Sequence, residues 1–238
     1  MSEKFGNFDN YLSTAFSGKR DLSASYKFYD GDYGSYLPQD KGASILDVGC
    51  GNGEFITYLR SKGFTNVAGI DASGEMVDFC KANGITGVSR VTDTTGYLTG
   101  NAGKFDLVAM NDVIEHLPKG DTIGILKSIR SSLTQGGVFL LRTGNFSTLG
   151  GIYLRYKDFT HEIGYTEASL EQALRSAGFS DITVLGNKNY VNFKNPMSIL
   201  RAVALKSWFF ILKALYTIEL GCDRPRVYSK LLVAVCKR

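Results

Sequence analysis

The chain has 238 residues and two histidines, and both histidines stand close to carboxylates. His161 lies in Arg155-Tyr156-Lys157-Asp158-Phe159-Thr160-His161-Glu162-Ile163-Gly164-Tyr165-Thr166, where Asp158 and Glu162 are near enough to orient an imidazole and raise its basicity. An imidazole held this way can take the proton of a hydroxyl that is a poor nucleophile at neutral pH. The competing reading is a loop histidine satisfied by Asp158. A metal bound by Asp158, His161 and Glu162 would need further ligands that the sequence does not cluster, so no metal is expected. His116 follows Glu115 in Val113-Ile114-Glu115-His116-Leu117 and is a candidate for the same chemistry or for a supporting wall.

A second kind of chemistry is written in Ile45-Leu46-Asp47-Val48-Gly49-Cys50-Gly51-Asn52-Gly53-Glu54-Phe55. An apolar run breaks into three glycines at alternate positions, and helical spacing resumes at Phe55. This predicts a strand, a tight turn and a helix start, with ligand lying on bare peptide groups and on the unpaired N–H groups of the helix N-terminus. A dinucleotide turn reads G-x-G-x-x-G with a diphosphate on the helix end. Here Glu54 occupies the last glycine position, where a carboxylate would repel a diphosphate.

The pattern Asp47-x-Gly49-x-Gly51-x-Gly53 instead resembles the first motif of class I S-adenosylmethionine (SAM) methyltransferases. The resemblance implies that Asp47 and the backbone of Gly49, Gly51 and Gly53 face the amino-acid end and ribose of a sulfonium cofactor. Val67-Ala68-Gly69-Ile70-Asp71 reads as a second strand ending in an acid. At that tip Asp71, with Ala72 beside it, can take both ribose hydroxyls, unless it is a helix-start signal with Ser73 and Glu75. Phe105 to Leu117 resembles the fourth-strand motif, which places Asn111 near the methionine end, and Leu133 to Leu141 with Gly136-Gly137 resembles the turn and fifth strand. The family also places an acid after the third strand to accept from the adenine amino group. Asp93 fits that position, or is simply a turn residue in Thr92-Asp93-Thr94-Thr95-Gly96.

These elements imply one α/β domain, doubly wound, whose seven-stranded sheet is mostly parallel with the last strand antiparallel. The domain runs over 43–238, and binding falls at the carboxyl ends of its strands. Residues 1–42 precede it, a polar aperiodic arm over Met1 to Gly18 followed by an aromatic segment with Tyr26, Phe28, Tyr29, Tyr33 and Tyr36. That segment either packs on the sheet edge or, as its counterparts in the family do, covers the cofactor through Tyr33 or Tyr36.

A net charge of +4 is too mild to announce nucleic acid. Asn111-Asp112-Val113-Ile114 also lacks the prolines and aromatic that grip a flipped base. The four cysteines form no C-x-x-C pair, so neither zinc nor a disulfide framework is indicated and a reduced, cytoplasmic setting is expected. No export signal is read at the start.

The Asp158 to Glu162 block, Tyr33 to Pro38 and Asp112 to His116 resemble the methyltransferase branch of bacterial surface-polysaccharide synthesis. That implies O-methylation of a sugar hydroxyl in O-antigen or capsule pathways. The alternatives are a methyltransferase of a small molecule (quinone, phenol or amine) and a non-catalytic SAM-binding protein. Met197 to Leu220 is apolar but interrupted by Arg201, Lys206 and Lys213, a poor membrane span. It reads as a helix buried over much of its girth between the sixth and seventh strands, as a dimer contact, or as an interfacial helix on the inner membrane.

Overall fold

The computed structural model describes residues 22–238, so the expected arm over Met1 to Gly18 lies outside the described residues. The elements run α1 (Leu22–Asp32), β1 (Ile45–Val48), α2 (Glu54–Ser61), β2 (Val67–Asp71), α3 (Gly74–Ala82), β3 (Val88–Arg90), α4 (Thr94–Gly100), β4 (Phe105–Asn111), α5 (Lys119–Ser132), β5 (Leu133–Gly144), α6 (Leu149–Lys157), α7 (Glu167–Ser176), β6 (Asp181–Gly186), α8 (Pro196–Leu220) and β7 (Leu231–Lys237).

The strands form one sheet in the order β3-β2-β1-β4-β5-β7-β6. The first five are parallel, and β7 runs antiparallel between β5 and β6. Strand order reverses between β1 and β4, which opens a crevice at their carboxyl ends. The seven-stranded doubly wound sheet expected from the sequence is the one observed.

Helices cover both faces because the central strands are apolar on both. Along β4, Leu107 and Ala109 pack with Tyr29, Tyr33, Phe55, Tyr58 and Leu59 of the α1–α2 side. Val108 and Met110 pack with Leu126, Ile129, Leu170 and Leu174 of the α5–α7 side. That is the period of two that a pleated strand imposes. The expected Gly136-Gly137 turn is absorbed into β5 as an irregularity: Leu133 pairs with Phe105, and Val138 already pairs with Leu107.

α8 departs from expectation. Leu212 is its one buried residue, whereas Phe210 is 74% exposed and Ile218 83% exposed. The helix therefore does not bury much of its girth between the last strands. β7 is paired between β5 and β6 and buries Leu232, Val233, Ala234, Val235 and Cys236 in the core on both faces.

Candidate active site

β1 ends at Val48, and the chain turns over Gly49 and Gly51 before α2. Gly49 and Cys50 donate N–H groups to the Ile70 carbonyl (2.8 and 3.1 Å), which fixes the turn against β2. Gly49 has φ +69, and a Cβ there would lie 2.3 Å from Val113 Cγ2, so only glycine fits. Gly51 lies beside open space: no atom comes within 4 Å of where its Cβ would stand.

A cavity of about 350 Å³ opens at this point, lined by Asp47, Gly49, Gly51, Asp71, Ala72 and Asn111, and farther along by Glu115, His116 and His161. Six of the nine residues expected to bind cofactor therefore line one space. The other three do not. Gly53 is the N-cap of α2 at φ 74 and makes room for Ile85, whose Cδ1 would be 3.0 Å from its Cβ, so its glycine serves packing. Asp93 is exposed and accepts the Gly96 N–H (2.9 Å) as the N-cap of α4; Thr94 lines the cavity in its place. Tyr33 is fully buried and donates its hydroxyl to Asn111 Oδ1 (2.5 Å), beneath the cavity wall, while Tyr29 lines the cavity.

The polar groups at this end are unusually incomplete. Asp71 Oδ2 accepts from Gly51 N and Oδ1 from Ser73 N, both at 2.8 Å, so Ser73 and not Asp71 caps α3. Asn111 lies close enough to Asp47 to oppose the rise of its pKa, yet Asp47 Oδ1 and Asn111 Nδ2 are buried without a completed hydrogen bond. Burial pushes the Asp47 carboxyl up to about 8, Asp71 adding to the rise and Arg142 opposing it. A buried orphan carboxylate and amide side by side are costly unless a ligand satisfies them. A cationic amino group is the partner that would satisfy Asp47.

At the other end the two histidines meet across the cavity, with ring centroids 4.5 Å apart at 65°. His116 stands on a 3-10 turn (Ile114–His116) that follows β4, and His161 on the loop after α6. The expectation that Asp158 and Glu162 orient His161 is corrected here. His161 Nδ1 meets the Leu154 carbonyl (3.0 Å). Asp158 Oδ1 instead accepts the N–H and hydroxyl of Thr160 (2.9 and 2.7 Å), and Thr160 Oγ1 lies 2.9 Å from His116 Nδ1. Glu162 is exposed, and its backbone N–H donates to the Glu115 carbonyl (2.7 Å), locking the loop to the turn. Burial, with His161 alongside, brings His116 down to about 4.

Several residues of the site were not singled out from the sequence. Arg142 of β5 forms a two-pronged ion pair with Asp112 and lies over the Phe28 ring (4.8 Å). Asp112 is the one described non-glycine residue with a positive φ (53), and Val113 after it lies over Gly49. A lone arginine directly after the apolar run Val138 to Leu141 was the available signal. Glu115 is buried, accepts the Thr143 hydroxyl (2.9 Å) and is pushed up to about 8, by burial first and Asp112 second. Asn145 is fully buried and donates to the Val227 and Ser229 carbonyls (2.9 and 2.8 Å), fastening the end of β5 to the approach to β7.

A family profile described as a methyltransferase domain matches residues 26–184, more than half of the chain. The chain belongs to the methyltransferase-domain family. The glycine turn with its orphan carboxylate suits the amino-acid end of a SAM-like sulfonium. A ubiquinone biosynthesis O-methyltransferase from Xanthomonas axonopodis pv. citri is 30% identical over 167 residues, which are 62% of this chain and 66% of that protein. The namesake from Actinobacillus pleuropneumoniae is 31% identical over 112 residues, 47% of its length, so the chain spans about half to two thirds of these curated relatives. Among solved structures, a SAM-dependent methyltransferase from Archaeoglobus fulgidus superposes with a TM-score of 0.67 at 19% identity, covering 97% of this chain and 98% of that one. These structures share the fold.

Proposed function

We propose that the protein is a SAM-dependent O-methyltransferase of a small-molecule hydroxyl, with a quinone or phenol ring as the acceptor class; its curated relatives are named for ubiquinone biosynthesis. This was the second reading from the sequence, and it now has more support than the sugar hydroxyl of a surface polysaccharide. The observation that carries it is the composition of the acceptor end. Beyond Glu115, His116 and His161 this end has an apolar wall, with Phe146, Leu154 and Leu231 gathered where β5 ends at Gly144. Such a wall accepts a ring or an alkyl chain and leaves most sugar hydroxyls without partners.

SAM supplies a methyl group on a positively charged sulfur. Asp47, Asn111 and the Gly49–Gly51 backbone would hold its amino-acid end, and Asp71 its ribose. The histidine pair activates the acceptor hydroxyl, and the apolar wall excludes water that would compete for the methyl group. The test incubates the protein and SAM with catechols, alkylated phenols and nucleotide sugars, reading S-adenosylhomocysteine release and gain of one methyl by mass spectrometry. Methylated catechol or phenol is expected. Methyl transfer confined to the nucleotide sugars would return the acceptor to a glycan, and no affinity for S-adenosylhomocysteine would remove the reading altogether.

We also propose peripheral membrane contact through α8. None of the described helices is long and apolar enough to cross a membrane. α8 nevertheless exposes Met197, Leu200, Val203, Phe210, Ile211 and Ile218, with Arg201, Lys206 and Lys213 between them. An exposed apolar helix with interspersed cations suits an anionic lipid surface. Flotation with anionic vesicles should carry the protein, and Phe210→Ser with Ile218→Ser should release it. Concentration-dependent dimerisation without flotation would overturn the lipid reading in favour of a second copy.

A further inference from the structure

His116, Asp158 and His161 each bring one potential ligand atom to within 4.8 Å of the others. The hydrogen bonds around them set the imidazoles for coordination. A carbonyl only accepts, so the Leu154 oxygen at 3.0 Å makes His161 Nδ1 a donor and leaves Nε2 as the nitrogen that can coordinate. Thr160 donates its hydroxyl proton to Asp158 Oδ1 at 2.7 Å, so Thr160 Oγ1 accepts from His116 Nδ1 at 2.9 Å and the lone pair of that ring also lies on Nε2. Metal-binding histidines carry this support: the far nitrogen of each ring donates to a carbonyl or to a group tied to a carboxylate. The two rings, with centroids 4.5 Å apart, both line the cavity. A divalent cation can be shared by two imidazole nitrogens and a carboxylate.

We propose that His116, Asp158 and His161 form a site for a transition-type divalent cation, with its open position facing the acceptor. Two nitrogens and one carboxylate suit zinc, manganese, iron or cobalt better than magnesium or calcium. Bonds of about 2.0–2.2 Å bring ligand atoms to roughly 3.5 Å apart, so the loop carrying Asp158 and His161 needs to close by no more than about 1 Å on binding. One carboxylate against two positive charges leaves the ion net positive, so it binds an acceptor oxygen and favours its ionised form. The acceptor proton goes to water. The oxygen lone pair then forms the new C–O bond as the C–S bond breaks, with that bond's electron pair staying on sulfur. This step rests on the O-methyltransferase reading; the cation site itself does not.

The test titrates Zn²⁺ into the chelator-stripped full chain by calorimetry, on a Cys222→Ser background because Cys222 is an exposed thiol, and repeats it with Co²⁺ by visible absorption. One equivalent of Zn²⁺ should bind, and Co²⁺ should give the absorption of a low-coordinate nitrogen and oxygen site without thiolate bands. His161→Ala and Asp158→Ala should each abolish stoichiometric binding. Thr160→Val, which keeps all three ligands and removes their support, should weaken it about 10- to 100-fold. Affinity for S-adenosylhomocysteine should stay unchanged in all three variants, which also certifies that they fold. No stoichiometric Zn²⁺ binding, or binding that survives His161→Ala with Asp158→Ala, overturns the site. Zn²⁺ binding without affinity for S-adenosylhomocysteine would instead keep the site and overturn the methyltransferase reading.

Discussion

The two ends of the cavity are built in different ways. At the donor end the groups come from the tips of adjacent parallel strands: Asp47 on β1, Asp71 on β2 and Asn111 on β4. Backbone register places them, and the turn over Gly49 adds bare peptide. At the acceptor end His116 and Thr160 are 44 residues apart and meet only because the Glu162 and Ile163 N–H groups bind the Glu115 carbonyl at 2.7 and 3.1 Å. One end is a property of the sheet; the other depends on a loop docking against a turn. The donor end should therefore be sensitive to backbone changes at its turn, and the acceptor end chiefly to loss of its side chains.

The sharpest way to break this comparison is His161→Ala. It removes one imidazole and leaves the strand tips intact, so turnover should fall about 100- to 1000-fold while calorimetry finds the affinity for S-adenosylhomocysteine within twofold of the parent. An equal loss in both would mean that the two ends form a single unit.

Next in size is the pH dependence of the donor end. Burial holds the Asp47 carboxyl at about 8 in the ligand-free protein, and a cationic amino group requires it ionised. Affinity for S-adenosylhomocysteine should therefore rise with pH, by up to about tenfold per unit below 8, and level off above it. Stability of the ligand-free chain should run the other way. The raised group binds its proton more tightly folded than unfolded, so its stabilisation is complete below the unfolded carboxylate range and is lost as pH climbs through about 8. Asp47→Asn should flatten both slopes. A wild-type affinity profile as flat as that of the variant would remove Asp47 from the cation's partners.

Gly49→Ala tests the backbone side. The added methyl meets Val113 Cγ2 at 2.3 Å in a conformation with φ +69, and the strain should cost about 2 kcal/mol, seen as a lowered urea midpoint, with roughly tenfold weaker S-adenosylhomocysteine binding. Val113→Ala on the same background should recover part of that loss, because it clears the clash but not the φ.

The contrast also explains what could be read from residues in order. β1, β2 and β4, their glycine turn and the acids at their tips are local patterns, and each residue is named by its distance from a strand end. Asp93 carried two readings because a residue after a strand is equally a residue before a helix, and in the structure it accepts the Gly96 N–H as the cap of α4. Arg142 showed only as a charge after an apolar run, and its role stayed unread because its partner, Asp112, is 30 residues away beside the neighbouring strand. α8 misled for a related reason. Apolar composition announces burial, but the surface that would bury it is not among the described residues of this chain.

The smallest effect is the most informative about the aromatic segment. Tyr33 was expected to cover the cofactor, and the structure puts it behind Asn111, fully buried and donating to Oδ1. Its ring stacks on Tyr29, with centroids 5.8 Å apart, and meets Phe55 edge-on at 5.6 Å, so the ring belongs to the core and only the hydroxyl serves the site. Tyr33→Phe keeps the ring and removes the bond that turns the Asn111 amide toward Asp47. If positioning is its role, stability should fall by about 1 kcal/mol and S-adenosylhomocysteine should bind roughly fivefold more weakly. On an Asn111→Ala background, Tyr33→Phe should then change nothing, because the hydroxyl would have nothing left to orient. A Tyr33→Phe effect that persists in the absence of the Asn111 side chain would restore direct contact with the cofactor and merge the aromatic segment into the donor end.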